Sequence, residues 1–444
     1  MTMQVKLALI PLLLLSAAQG ADLANLYPKA VQNDSRFAIA KAQNLASQEI
    51  VPIARAALLP NLSLSAQGSR EWVNTEFDVG EGAKEQTISK DYLFNGQTYA
   101  ATLTQPLFRM AAWDNLSQAE FQQKEANHAL DRSQQELILR LAQQYLDVQL
   151  AFDKLQLLGE QKKAYQEQKT QASKWFAAGY GTITDINEAQ NRLDFVDADI
   201  LSAEAAHSSK LHELSVTVGE PMSKLAHRKP TDMQADLHLR YPLAEWLSQA
   251  KQNNPILFER QASVDAAQLE ISKNIDQHLP TVDLRLRSSY EDSPSYSTVD
   301  NLIKSNSIMV YASIPIFSGG EINARSKRAV ALHTAASEDQ RNTLQQVELG
   351  LRQQYLDLSS SSAQIKALQE AVRSGDVLIQ STRKGIQSGV RSNVDLLNAQ
   401  SRFFEAQQKH TAAQYTYLSG YIRLKFYAGT LQENDLQAVD QVLR

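Results

Sequence analysis

A chain of 444 residues with 43% hydrophobic content and a formal net charge of −5 is folded rather than disordered, and its scattered Lys and Arg give no basic footprint for nucleic acid. Cysteine is absent, which excludes disulfides, thiolate metal sites, a thiol nucleophile and a lipid anchor attached through Cys. Length alone predicts two or three domains.

In chain order, Lys6 precedes an apolar run over 7–15, followed by the small residues Ala17, Ala18, Gly20 and Ala21. This pattern predicts a signal peptide over 1–20, cleaved before Ala21. The run is too short to span a membrane and is broken by Pro11. No later stretch approaches the ~20 apolar residues of a spanning helix. The mature chain is therefore expected to stay soluble in the periplasm or to enter a membrane as a barrel.

Next comes a strand pair within 61–109, where Leu62, Leu64 and Ala66 alternate with Ser63, Ser65 and Gln67, and Tyr99, Ala101 and Leu103 with Thr102 and Thr104. Residues 110–178 then follow a helical pattern interrupted only by Gly159. At ~1.5 Å per residue that is a rod on the order of 100 Å. Ile138, Leu141, Tyr145, Val148, Phe152 and Leu155 step by 3, 4, 3, 4, 3, a heptad seam that predicts coiled-coil packing. The rod ends at Gly179-Tyr180-Gly181-Thr182, and a second helix is expected from about Asp185 to Val218.

The pattern then repeats. Gln143-Gln144-Tyr145-Leu146-Asp147 returns as Gln353-Gln354-Tyr355-Leu356-Asp357, and the same offset of 210 carries Gly179 onto Gly389, Asp185 onto Asp395 and Arg192 onto Arg402. The chain is thus one unit written twice, 21–230 and 231–444, intertwined rather than strung as separate domains. The second copy has a strand pair within 281–317, with Val282, Leu284 and Leu286 alternating with Asp283, Arg285 and Arg287. Its partner face is Ile308, Val310, Ala312, Ile314 and Ile316. A second hairpin turns at Gly389 and continues from about Val394 to Tyr427. Both tips, near 179–185 and 389–395, are expected at the same end of the molecule.

A sheet with one apolar and one polar face suits a membrane barrel, and equally a half-buried sheet in a soluble protein. The leader, the ~10-residue segment length and the aromatics near the strand ends favour the barrel. Four strands cannot close one, since the smallest need about eight, and open edges are not tolerated in hydrocarbon. Several copies must then pool their strands; two, three or four are physically possible. The polar stretches 79–90 and 292–305 are expected outside the membrane.

The residues that join helix to strand resemble the TolC family of outer-membrane channel tunnels, in its non-lipidated branch. They are Asp276-Gln277-His278-Leu279-Pro280-Thr281-Val282-Asp283-Leu284 and Leu59-Pro60 at the entries, and Ile314-Pro315-Ile316-Phe317-Ser318-Gly319-Gly320 and Leu103-Thr104-Gln105-Pro106-Leu107-Phe108 at the exits. The tip patterns Gly385, Gly389, Arg391, Asp395, Leu397 and Gly179, Ile183, Thr184, Asp185, Gln190 are similar as well. The resemblance implies a mainly α protein whose four strands per chain join in a homotrimer to form a twelve-stranded barrel in the outer membrane of a Gram-negative bacterium. A periplasmic helical tunnel and a mixed belt from about 219–245 and the C-terminus would continue it. It also implies a periplasmic adaptor and an inner-membrane transporter of ABC or RND type as partners, no cofactor, and passage of proteins or small toxic molecules.

The same resemblance assigns the gate. Asp395 matches an acidic ring, Asp185 and Thr184 match positions that tie neighbouring coiled coils, and Arg391 matches their basic partner. Asn398 stands where the family has a second acid, and Ile386 where it has a tyrosine, for which Tyr180 is a candidate substitute. Gly179, Tyr180, Gly181, Thr182, Gly389 and Val390 are the expected adaptor-docking tips. A close ring of Asp395 carboxylates would hold one another's pKa up. Read without the resemblance, Asp185 and Asp395 simply begin helices, where a carboxylate meets the dipole favourably.

Two other classes fit less well. The eight His are dispersed, and no His-Glu-x-x-His, phosphate loop or serine-elbow pattern is present, which argues against an enzyme. A soluble periplasmic coiled-coil adaptor or structural protein would share the hairpins but lack the paired amphipathic strands.

Overall fold

The computed structural model describes residues 22–79, 86–223, 225–230, 241–292 and 302–443. The expected signal peptide, the centres of both inter-strand loops and 231–240 of the expected belt lie outside the described residues. The elements are α1 (Leu23–Asn33), α2 (Ser35–Gln48), α3 (Ile50–Ala56), β1 (Asn61–Val79), β2 (Gln86–Phe108), α4 (Met110–Ala177) and α5 (Ile183–Val218). The second half continues with α6 (Leu243–Asn253), α7 (Pro255–Ile275), β3 (Thr281–Asp292), β4 (Leu302–Ser313), α8 (Glu321–Gln387), α9 (Asn393–Tyr427) and α10 (Asn434–Val442). Two compact units result, one from 42–130 with 256–344, the other from the remainder.

The first unit holds one antiparallel sheet in the order β1-β2-β3-β4. Its register turns the alternation seen in each segment into a single surface. Leu64 stands opposite Ala101 and Leu62 opposite Leu103, Leu103 opposite Leu286, and Leu286 opposite Ile308 with Leu284 opposite Val310. Leu62, Leu64, Ile308 and Val310 are all exposed, so this apolar face has no cover within one chain. The opposite face carries Ser63, Thr102, Arg285 and Arg287, with the Arg285 guanidinium 4.9 Å from the Tyr311 ring centroid.

Two expectations about the strands are corrected. β1 and β2 are 19 and 23 residues long rather than ~10, because beyond Ala66 polar cross-strand bonds continue the ladder. Asn74, for example, donates to Asp91 at 2.7 Å and to Ser89 at 2.9 Å, and hydrophobic periodicity is blind to such pairs. At the other end, Ile314 and Ile316 lie past β4, which stops at Ser313. Pro315 has no N–H for the ladder and also restricts the residue before it.

Where strand meets helix, Arg109 makes a two-point contact with Asp283, Nε to Oδ1 at 3.0 Å and Nη2 to Oδ2 at 2.8 Å. The Asp283 side chain is only 5% exposed, so this pair clamps the end of β2 to the start of β3. Behind it, Gln118 on α4 donates to the Ala266 carbonyl and to Glu270 on α7.

In the second unit, Ile138, Leu141, Tyr145 and Val148 of the heptad seam are buried as expected. Phe152 and Leu155 are only half-buried, and the buried line moves to Asp153, Leu158, Tyr165 and Ala172. A helix of 3.6 residues per turn drifts against a strict heptad, so one seam cannot face one neighbour for the whole rod. Residues 225–230 dock on α4 and α9 through polar contacts: the Tyr415 hydroxyl lies 3.1 Å from the Arg228 carbonyl and 2.8 Å from Asp153, Asp153 lies 2.5 Å from His227 Nε2, and Gln149 donates to the Ala226 carbonyl at 2.7 Å. Among the described residues no helix is long and apolar enough to cross a membrane.

Arg109→Ala leaves the Asp283 carboxylate without its main partner and is expected to destabilise the sheet unit by about 2–3 kcal/mol. The check is the urea midpoint of the detergent-extracted protein, with Arg109→Lys falling between the two.

Candidate gate at the paired hairpin tips

Both hairpins turn by the same device. At the end of α4 the Tyr180 N–H donates to the Trp175 carbonyl at 2.9 Å and the Gly179 N–H to Phe176 at 3.0 Å; at the end of α8, Val390 donates to Gly385 at 2.9 Å and Gly389 to Ile386 at 3.0 Å. Gly179 and Gly389 sit at φ +79° and +75°, the left-handed conformation that closes a helix and that an L side chain disfavours. Gly385 is glycine for space: a Cβ there would lie 2.7 Å from Arg391 Cγ.

The returning helices also begin alike. Thr182 and Ser392 are N-caps whose hydroxyls accept from the N–H of Asp185 and Asp395, both at 3.2 Å. Each carboxylate reaches back, Asp185 Oδ2 to the Thr182 N–H at 3.1 Å and hydroxyl at 2.7 Å, Asp395 Oδ2 to the Ser392 N–H at 2.9 Å and hydroxyl at 3.0 Å. These are reciprocal capping boxes. Within one chain both aspartates are therefore helix-start residues. The Ser392 backbone N–H and then its hydroxyl hold the Asp395 carboxyl below the ordinary carboxylate range, with Arg391 adding to it. That is opposite in direction to the upward shift expected of a ring, which one chain does not contain.

The two tips lie side by side. Gln168 on α4 donates to Asn393 on α9 at 3.0 Å, both residues buried. Arg192 on α5 donates from Nη2 to Asn398 Oδ1 on α9 at 2.9 Å, while its Nε bonds Glu188 at 3.1 Å. Leu397 of the second hairpin is seated among Tyr165, Ala189, Leu193 and Val196 of the first. Asn398, the neutral residue at a family acidic position, is thus the acceptor for Arg192. Ile386 packs with Ile379, Leu396, Ala399 and Phe403 inside the second tip. Tyr180, Thr184, Arg391 and Val390 face solvent; Tyr180 is 88% exposed and does not stand in for the missing tyrosine within a chain. Nothing in the sequence marks Gln168, Asn393, Arg192 or Glu188 as tip contacts beyond the offset that pairs Glu188 with Asn398. Among the described residues no group of three His, Asp or Glu could hold a metal.

A sheet with an uncovered apolar face, followed by long helical hairpins that end in polar tips, defines a subunit of an outer-membrane channel. The outer membrane efflux protein family matches residues 26–220 and 246–430, and the chain belongs to it. It is 32% identical to alkaline protease secretion protein AprF of Pseudomonas aeruginosa over 96% of this chain and 88% of that one. It is 28% identical to outer membrane protein TolC of Vibrio cholerae, over 97% and 95%. Among solved structures it is similar to the outer membrane protein VceC of Vibrio cholerae, with a TM-score of 0.78 at 17% identity over 93% of this chain and 97% of that one. The protein is an outer-membrane exit channel of the secretion and efflux class, mainly α with four strands per chain that enter a shared barrel, as the sequence resemblance implied.

Thr182→Ala and Ser392→Ala each remove a cap and are expected to cost the following helix about 1 kcal/mol. Hydrogen exchange at the first-turn amides of α5 and α9 should accelerate in the respective variant. Within one chain the Ser392 bonds lower the Asp395 pKa on folding, so its cap contribution there is complete above the ordinary aspartate value of about 3.9. It is lost only as pH falls through the lower folded value, so first-turn exchange in α9 should show no extra opening between pH 7 and 5.

Proposed function

We propose that three copies form the channel and that their tips form its periplasmic gate. The observation that supports this is the pairing of two identically built tips in each chain, each with an outward-facing polar loop and an ordered aspartate. Around a threefold axis each tip residue occurs three times. Asp395 then forms an acidic ring, and Arg391 of one copy reaches Asp185 and Thr184 of a neighbour, where a charge-assisted contact can be exchanged for better ones. In that ring, mutual repulsion opposes the lowering of the Asp395 pKa by Ser392. Asn398 contributes no charge, so the acidic ring is single.

The loops at Gly179, Tyr180, Gly181, Thr182, Gly389 and Val390 dock a periplasmic adaptor, which links the channel to an inner-membrane transporter of ABC or RND type. Exposed Tyr180 and Val390 give this surface an apolar component. The relative AprF is named for secretion of a protease, which favours an exported protein as cargo over small toxic molecules.

Arg391→Ser and Asp185→Ala are each expected to raise single-channel conductance in planar bilayers, and Asp395→Asn to reduce cation preference. Unchanged conductance in both latch variants removes them from the gate, and unchanged selectivity places the acidic ring elsewhere. Deleting the protein and comparing secreted proteins with toxin sensitivity distinguishes the two cargo classes.

A further inference from the structure

The contact that joins the two tips inside a chain can be carried through the offset of 210 residues that relates the two halves. Inside the chain the first half presents Arg192 and Gln168, and the second receives them on Asn398 and Asn393. Around a closed ring of copies the halves alternate, so every second half also meets the first half of a neighbouring copy. Shifted by the offset, Arg192 becomes Arg402 and Asn398 becomes Glu188; Gln168 becomes Leu378 and Asn393 becomes Ile183. We infer that copies are joined at the tips by Arg402 pairing with Glu188 of a neighbouring copy, and by Leu378 packing on that copy's Ile183.

The chemistry of the shifted pairs supports this. A guanidinium–amide contact becomes guanidinium–carboxylate, and an amide–amide contact becomes aliphatic–aliphatic. The arginine is kept and the other three residues change in such a way that both pairs remain complementary. In the single chain the new partners are available. Leu378 is 43% exposed and Ile183 54% exposed, and Arg402 faces solvent. Arg192 engages Oε1 of Glu188, and a carboxylate has room for a second donor on its other oxygen.

One part of the contact does not carry over. Leu397, seated in the apolar cluster inside the chain, corresponds to Asn187. Beside the Arg391 contact proposed above, the joint between copies therefore lacks a buried leucine and adds one ion pair and one aliphatic contact. It is the joint without a buried apolar plug, so the tips of one chain move together and the gate parts between copies. This rests on the ring of copies proposed above, and it adds contacts distinct from Arg391 and Asp185.

The absence of native cysteine makes a direct test clean. Full-length protein carrying Leu378→Cys with Ile183→Cys is oxidised in isolated outer membranes and run on a denaturing gel. The expected result is covalent dimer and trimer, released by reductant, while Gln168→Cys with Asn393→Cys closes within one chain and leaves the single-chain band. In parallel, Arg402→Glu should lower the yield of heat-resistant oligomer and Glu188→Arg in the same chain should restore it. If the unmodified protein is oligomeric and the control pair closes, but the first pair leaves single chains and the charge swap gives no rescue, the joint is not where it is placed here. If the unmodified protein is a single chain, the ring itself fails.

Discussion

The two outer edges of the four-stranded sheet set the terms for everything else in this protein. β1 and β4 each have a strand partner on one side only. In water the spare N–H and C=O groups would be solvated, but the aligned apolar face of Leu62, Leu103, Leu286 and Ile308 belongs in hydrocarbon. There, each unsatisfied backbone group costs several kcal/mol. Pairing β1 of one copy with β4 of the next removes that cost and covers no lipid-facing side chain. The oligomer follows from the hydrogen-bond inventory of one sheet. Once copies are arranged around an axis, the hairpin tips come in sets as well, and a gate can be built from single residues repeated by symmetry.

In the proposed gate, a residue that caps a helix would also belong to a ring. Asp185 and Asp395 are each held by the N–H and hydroxyl of the cap residue, which fixes the carboxylate near the turn. A fixed charge at a turn is useful at a constriction because it needs no further ordering when copies assemble. The helix-start role is what one chain shows, and the gate role proposed above would fall on the same atoms. What distinguishes the two halves is their flanks: Glu188 against Asn398, and Ile183 against Asn393. The duplication keeps the turn and varies the contacts beside it.

Much of this was legible in the sequence because it depends on short-range pattern. The glycine turns, the heptad steps of α4 and the alternation of the strands are local, and the repeat is read by laying the chain against itself. Three features were not. The length of β1 and β2 depends on polar pairs such as Asn74 with Asp91, which carry no hydrophobic signal. The clamp of Arg109 on Asp283 joins residues 174 apart and needs the sheet register to be seen. Gln168 and Asn393 are two amides among many in glutamine-rich helices, and only the packed tips single them out.

The most direct test of the account is the number of copies in one purified particle. Native mass spectrometry of the detergent-extracted mature protein should give three chains per assembly, matching twelve strands around one barrel. A single chain that needs no detergent would leave both sheet edges in water and would contradict the account at its base.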